Sequence, residues 1–292
     1  MSNFINIPEY ILQNIDLNKI SKLDKLKLLI KGKFLSLIIN RSKGQVFCFL
    51  INLLYLDKNK IGYENSKYYF DDGIKKLFYY NDRVLRVAFG AVELFGSLID
   101  DYCLDSIEIN KGETIVDCGA NVGEFYYSIS NLQSDFNYIA FEPEPNNFQC
   151  LDLNLKEKTN TTLYKYGLSE VNGTSEFFLS EDGSDSSFIN SGLNNSIELE
   201  TRTLDSLNLD KIKLLKIEAE GFEPEVLKGA LDTIKKTEYI SIDSGPERGP
   251  MGETTLTEVT NILYENGYQL IKFNDRRCIG LFQNVLLLEN SQ

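Results

Sequence analysis

The chain has 292 residues, with 30 Lys and Arg against 43 Asp and Glu, five Cys, and neither His nor Trp. Without histidine there is no Ser-His-Asp or Cys-His nucleophile pair, no imidazole base and no His-containing zinc site. A hydrophobic share of 42% and a charged share of 25% suit a globular chain that buries a core, and a net charge of −13 opposes a phosphate backbone, so no nucleic-acid partner is expected.

The cysteines at 48, 103, 118, 150 and 278 form no C-x-x-C pair. They read as small buried hydrophobes in a reducing cytoplasm. Met1 to Asp16 lacks a basic region followed by an apolar core, so no secretory signal is expected. The most apolar stretch, Phe34 to Leu54, is interrupted by Arg41, Lys43 and Gly44 and is too short to span a bilayer. A cytoplasmic protein is the expectation.

From Ile7 to Leu56 apolar positions such as Leu26, Leu29 and Ile30 recur at helical spacing. Between Lys19 and Lys43 stand eight Lys or Arg (19, 22, 25, 27, 31, 33, 41 and 43) against one acid, Asp24, so the segment is +7 and the remainder −13 − 7 = −20. A basic amphipathic segment on an acidic body suits an anionic membrane surface, an anionic partner, or simply a solvated helix face. Tyr63 to Asp72 reads as a short strand pair and Asn81 to Tyr102 as helix. The first hundred residues are thus expected to form a helical extension, 1–100.

From Glu113 strands and helices alternate. Thr114 to Cys118 is a strand, and Phe125, Ile129 and Leu132 mark a helix. Tyr138 to Phe141 is the next strand, Phe148, Leu151 and Leu155 line a helix, and Thr162 to Tyr166 is a third strand. The polar stretch Glu181 to Ser196 reads as a loop between two weak strands, Ser175 to Leu179 and Ile197 to Thr203, that pair with each other. Ile212 to Ile217 and Tyr239 to Ile242 are strands around a helix over Glu223 to Lys235. Thr255 to Asn266 is a helix with Gly267 at its C′ position. Tyr268 to Phe273 and Cys278 to Leu288 are joined by a turn too short for a crossover, so they pair antiparallel. The expected fold is α/β, a doubly wound Rossmann-like sheet ending in an antiparallel β-hairpin over 101–292, with ligands at the carboxyl ends of the strands.

The sharpest motif is Ile115-Val116-Asp117-Cys118-Gly119-Ala120-Asn121-Val122-Gly123, a strand running into a glycine turn that opens a helix. A dinucleotide fingerprint needs G-x-G-x-x-G, whereas three residues separate these glycines and Asp117 stands two before the first. An acid there would repel phosphates but suits a cationic amino group, which S-adenosylmethionine carries; an acid favoured by the helix dipole is the plainer explanation. The second strand ends Ala140-Phe141-Glu142-Pro143, where a carboxylate can accept both hydroxyls of a ribose.

These motifs resemble those of the FkbM family of S-adenosylmethionine-dependent methyltransferases, with a likeness covering about Tyr102 to Leu288. Val116 to Phe125 looks like its first motif, and Ala140 to Pro143 with Asn146 and Asn147 its second. Thr203-Leu204-Asp205-Ser206-Leu207 resembles the third. Lys216-Ile217-Glu218-Ala219-Glu220-Gly221, leading to Glu225 through Ala230, resembles the fourth. The resemblance implies an O-methyltransferase acting on a hydroxyl, often of a sugar or secondary metabolite. Carried over, Asp117, Gly119, Ala120, Asn121, Gly123, Glu124 and Phe125 would surround the methionine portion. Glu142, Pro143 and Asn147 would take the ribose side, Gly167 and Leu168 the adenine edge, and Ser186 and Ser187 would close near the cofactor. Glu218 departs from the family's usual Asp.

A sugar hydroxyl needs a base or metal close by. Lacking histidine, the candidates are Glu218, Glu220 and Asp243, alone as base or together around Mg²⁺. Glu220 and Glu223 also suit a helix N-terminus, and Asp243 a capped turn. Arg248, with Glu247 beside it, is a candidate for holding the acceptor, or for a structural salt bridge. Two rivals remain: a nicotinamide-dependent oxidoreductase, which lacks its glycine spacing here, and a non-catalytic glycan-assembly partner. The extension is expected to cover the acceptor, form a homo-oligomer contact or reach the inner face of a membrane.

Overall fold

In the computed structural model, residues 21–56, 60–180 and 186–289 are described. The expected helix before residue 21, Lys19 of the basic segment and the first part of the polar loop lie outside them. The chain divides into two compact units, Met1–Leu94 and Phe95–Gln292.

In the first unit, α1 (Lys22–Arg41) starts at Ser21, whose hydroxyl accepts from the Asp24 N–H at 3.2 Å. It buries Gly32, Leu35 and Ile38. α2 (Gly44–Leu54) buries Phe47, Cys48 and Ile51. The Asn52 side chain donates to Ile61 O and accepts from Ile61 N, which ties α2 to β1 (Lys60–Glu64). β2 (Lys67–Asp71) and β3 (Lys76–Tyr79) complete an antiparallel sheet in the order β1-β2-β3. Among its described residues the unit therefore holds three strands where the sequence suggested a pair. The alternation that buries Leu77 and Tyr79 spans only four residues, too few to register as a period. The boundary between the units falls within α3 (Val84–Asp101), where Gly90 departs from helical geometry.

The second unit is built on a seven-stranded sheet, ordered β12-β13-β11-β10-β4-β5-β6. β4 (Thr114–Cys118), β5 (Asn137–Phe141), β6 (Thr161–Tyr164), β10 (Ile212–Ile217) and β11 (Thr237–Asp243) run parallel. Every residue of β10 is buried, as expected for a central strand covered on both faces. α4 (Glu124–Leu132) and α5 (Pro145–Leu155) follow β4 and β5. A smaller sheet, ordered β7-β9-β8, contains β7 (Gly167–Leu168), β8 (Gly173–Phe178) and β9 (Ser196–Arg202), the last two antiparallel. After α8 (Leu256–Glu265), β12 (Tyr268–Asn274) and β13 (Ile279–Asn284) form the expected hairpin, with β13 antiparallel to β11 as well. Being parallel, β4, β5, β6, β10 and β11 share one carboxyl edge, and their order reverses between β4 and β10, the switch point at which such sheets bind ligands.

Two helical assignments differ from the sequence reading. The helix expected over Glu223 to Lys235 is two short ones, α6 (Glu223–Lys228) and α7 (Leu231–Ile234). Gly229 lies against the backbone of Ser169, where a Cβ would come within 1.9 Å of the carbonyl oxygen, and Asp205 caps α7 by accepting from the Asp232 and Thr233 N–H groups. The last strand stops at Asn284, short of Leu288. The Asn284 side chain accepts from the N–H groups of Leu286 and Leu287 and starts α9 (Val285–Glu289).

Candidate active site

The glycine turn after β4 is held from both neighbouring strands. Gly119 and Ala120 donate to Phe141 O at 3.0 Å, and Glu218 N donates to Cys118 O at 3.1 Å. Gly119 has φ +78°, and a Cβ on it would lie 2.0 Å from Glu218 O. Glycine is required there by the approach of β10. Gly123, at φ +93°, permits the approach of Leu151 and Leu155 of α5, each 3.1 Å from where a Cβ would stand. Glu124 opens α4, and Phe125 is buried with its ring edge-on to Tyr102.

Asp117 is fully buried. Tyr138 Oη donates to its Oδ2, and Oδ1 lies 3.0 Å from Lys216 Nζ, an ion pair. Lys216 also donates to Gly119 O at 2.8 Å and Cys118 O at 3.3 Å and lies 3.2 Å from Glu218 Oε2. Burial drives the Lys216 ammonium toward neutrality, but Asp117 and Glu218 outweigh it and hold its pKa above the usual lysine range. The sequence reading set Asp117 against a cationic ligand; in the structure its carboxyl group is buried between Tyr138 and Lys216.

Glu142 follows β5. Its Oε2 accepts from Asn121 N at 2.7 Å and its Oε1 from Glu144 N at 2.8 Å. Burial pushes its pKa up to about 7 against the pull of these two N–H groups. Pro143 is half-buried beside it. Asn147 is buried in the first turn of α5, where its N–H donates to Glu144 Oε2. Gly167 stands where a Cβ would meet the Phe188 ring at 2.2 Å, next to buried Leu168. Ser187 Oγ donates to Glu220 O at 2.8 Å, which brings it to the fourth motif, while Ser186 Oγ accepts from Ser180 N. Glu220 adopts φ +51°.

At the carboxyl ends of β10 and β11 acids gather around one arginine. Arg277 Nη2 donates to Glu218 Oε1 at 3.2 Å and to Asp243 Oδ2 at 3.4 Å. Tyr102 Oη donates to Glu218 Oε2. Burial raises the Glu218 pKa, but Lys216, Tyr102 and Arg277 together bring it down to about 2. Asp243 is pushed the other way, by burial and then by the charge of Glu218. Glu247 rises to about 8 through burial and through Asp243, Glu223 and Glu218. Glu223 is buried, accepts from the N–H groups of Ala219 and Gly221 and from Thr255, and sits at about 7 because of burial.

Arg248 was a candidate for the acceptor or for a structural salt bridge. Its guanidinium is bidentate on Glu225, at 2.7 and 3.0 Å, and donates to Gly221 O. This is the structural salt bridge the sequence left open, with Glu225 as partner. Sequence reasoning missed Arg277, Tyr102 and the ion-pairing role of Lys216. The hairpin could have revealed Arg277: a last strand antiparallel to β11 must place its preceding turn at the carboxyl edge. Among the described residues no group of three or more Cys, Asp or Glu is arranged to hold a metal ion, so Glu218, Glu220 and Asp243 lend the expected Mg²⁺ no support.

A family model, "Methyltransferase FkbM domain", matches residues 117–270, more than half of the chain. The chain belongs to the FkbM methyltransferase family. It is thus an S-adenosylmethionine-dependent methyltransferase, and the nicotinamide reading is set aside. It is similar to the hexuronic acid methyltransferase AglP of Haloferax volcanii, 26% identical over 167 residues that cover 53% of this chain and 68% of that protein. Among solved structures it resembles methyltransferase FkbM from Methylobacillus flagellatus KT, with 20% identity and a TM-score of 0.45 over 70% of this chain. The chain spans about half, 55%, of the length of that protein. It also resembles M. jannaschii TYW2, solved in complex with AdoMet, with 13% identity and a TM-score of 0.35 over 78% of this chain and 87% of that one.

The residues of the FkbM domain fit S-adenosylmethionine. Glu142 uses one lone pair on each oxygen for a backbone N–H, and an ionised carboxylate has further acceptor sites for a ribose diol. The glycine turn it grips is fixed by Lys216 from beneath.

Proposed function

We propose that this protein transfers a methyl group to a hydroxyl of a carbohydrate or carbohydrate-bearing acceptor, and that the acceptor carries a carboxylate. The observation that carries the reading is the pairing, at adjacent strand ends, of a ribose-type acid with the glycine turn through Glu142 Oε2 and Asn121 N. Glu142, the turn from Gly119 to Gly123, and Ser187 would hold the cofactor. When bound, S-adenosylmethionine supplies a methyl on a positively charged sulfur.

The chain's own part is to position the acceptor oxygen and take its proton. A carboxylate at about 2 is a weak base, so Glu218 serves as a fixed negative charge. Asp243, raised by burial, is the stronger proton acceptor of the two. The Arg277 side chain is 47% exposed while bridging both acids through Nη2, and a planar guanidinium fork suits a carboxylate arriving from solution. The similarity to a hexuronic acid methyltransferase supports an acidic sugar.

The test is calorimetric titration with S-adenosylhomocysteine and NAD, followed by methylation assays on hexuronic acid glycosides and their neutral hexose counterparts. Binding of the first ligand alone, and turnover of the acidic sugar with loss in Asp243→Asn, is expected. Arg277→Lys should raise KM for the acidic sugar about tenfold or more, because a lysine lacks the fork. Binding of NAD instead, or equal turnover of both sugars, overturns the reading.

A further inference from the structure

Helix α1 is apolar on two faces. One carries Gly32, Leu35 and Ile38 into the first unit. On the other, Leu23, Leu26, Ile30, Phe34 and Leu37 are each between 49% and 66% exposed. Their spacing of 3, 4, 4 and 3 residues keeps them on one stripe at 3.6 residues per turn. The same turn geometry puts Lys22 and Lys33 along one border of the stripe and Lys27 and Lys31 along the other. In α2, Val46, Phe49 and Leu53 repeat the pattern at i, i+3 and i+7, each more than 60% exposed.

We propose that the outer face of α1 docks on a lipid surface that carries anionic headgroups. A stripe of Leu, Ile and Phe has no polar atom to satisfy and gains by leaving water. The bordering lysines bury their stems along it and set their ammonium groups at headgroup level. Charge selects the lipid over other occupants. The rest of the chain is strongly acidic, so this basic segment is the part whose charge complements an anionic surface. A second copy meeting it through a two-fold axis would bring two rows of lysines together, and like charges face to face oppose that contact. A nucleic acid would take the lysines but leave the apolar stripe in water.

The experiment uses the full chain with vesicles of phosphatidylglycerol and phosphatidylcholine in equal parts, and with vesicles of phosphatidylcholine alone. Because the chain has no tryptophan, Phe34→Trp reports on this face by itself. Its emission should shift to the blue with the mixed vesicles, and the protein should sediment with them. Salt should weaken the association. Lys22→Glu with Lys33→Glu should lower the partition coefficient at least about twentyfold, and Ile30→Glu with Leu37→Glu should abolish it. Far-ultraviolet circular dichroism and thermal unfolding, unchanged in these variants, show that the first unit folds. No association with the mixed vesicles, or association indifferent to both pairs of substitutions, overturns the proposal. So does self-association lost in Ile30→Glu with Leu37→Glu, which assigns the face to a second copy, or retention on polyuridylate without vesicle binding, which assigns it to nucleic acid.

Discussion

Lys216 keeps its charge in the middle of the sheet because four oxygens lie within 3.3 Å of its Nζ: one each on Asp117, Glu218, Cys118 and Gly119. Removing one partner of such a group leaves the other charge buried and uncompensated, which costs about 3–5 kcal/mol. Lys216→Met should destabilise the protein by about that amount in denaturant titration. Adding Asp117→Asn should return part of the loss, since the stranded charge is gone. Cofactor affinity should fall with the single substitution, because the glycine turn loses the donor beneath two of its carbonyls. A Lys216→Met variant as stable as the parent would mean that the pair does not bear on the turn.

Among the elements, α7 is four residues long and depends on Asp205, which accepts from Asp232 N, Thr233 N and Thr233 Oγ1. Asp205→Ala should cost about 1–2 kcal/mol and Asp205→Asn distinctly less, as expected for a helix cap; thermal unfolding of the two variants measures it. The strands β4, β5, β10 and β11 were legible because each is a short apolar run between turn signals. The glycine turn was legible because its motif is contiguous. What stayed hidden joins distant segments. Glu218 meets Tyr102 across 116 positions and Arg277 across 59, and no local period records such meetings. The break at Gly229 was concealed for the same reason: its cause is the Ser169 carbonyl, on a different part of the chain. Between the two roles the sequence left open for Arg248, it could not name the salt-bridge partner, because Glu225 belongs to α6, 23 positions away.

At the scale of the molecule, several buried acids set how stability responds to pH. Glu142 and Glu223 are held at about 7 and Glu247 at about 8, above the ordinary 4.5, with burial the first cause in each. Between about 4.5 and 8 the folded state keeps protons that the unfolded chain has released, so stability falls as pH rises through that window and levels off above it. Glu218, lowered to about 2, acts oppositely and only below 4.5, where its contribution is lost as pH falls. The melting temperature should therefore be higher at pH 5.5 than at pH 8.5, to about the extent these acids titrate. Glu223→Gln keeps the hydrogen-bonding oxygen and removes one titration, so its profile should be flatter; scanning calorimetry across this range checks both. A profile that rises with pH would show that these carboxyls are ionised in the fold. The sheet also has a temporal consequence. β13 follows every other strand in sequence yet lies between β11 and β12. As the polypeptide leaves the ribosome, β11 stays an open margin of unpaired amide and carbonyl groups, a template for pairing with another nascent chain. Polypeptides released before Ile279 should aggregate, and chaperone capture should concentrate on them.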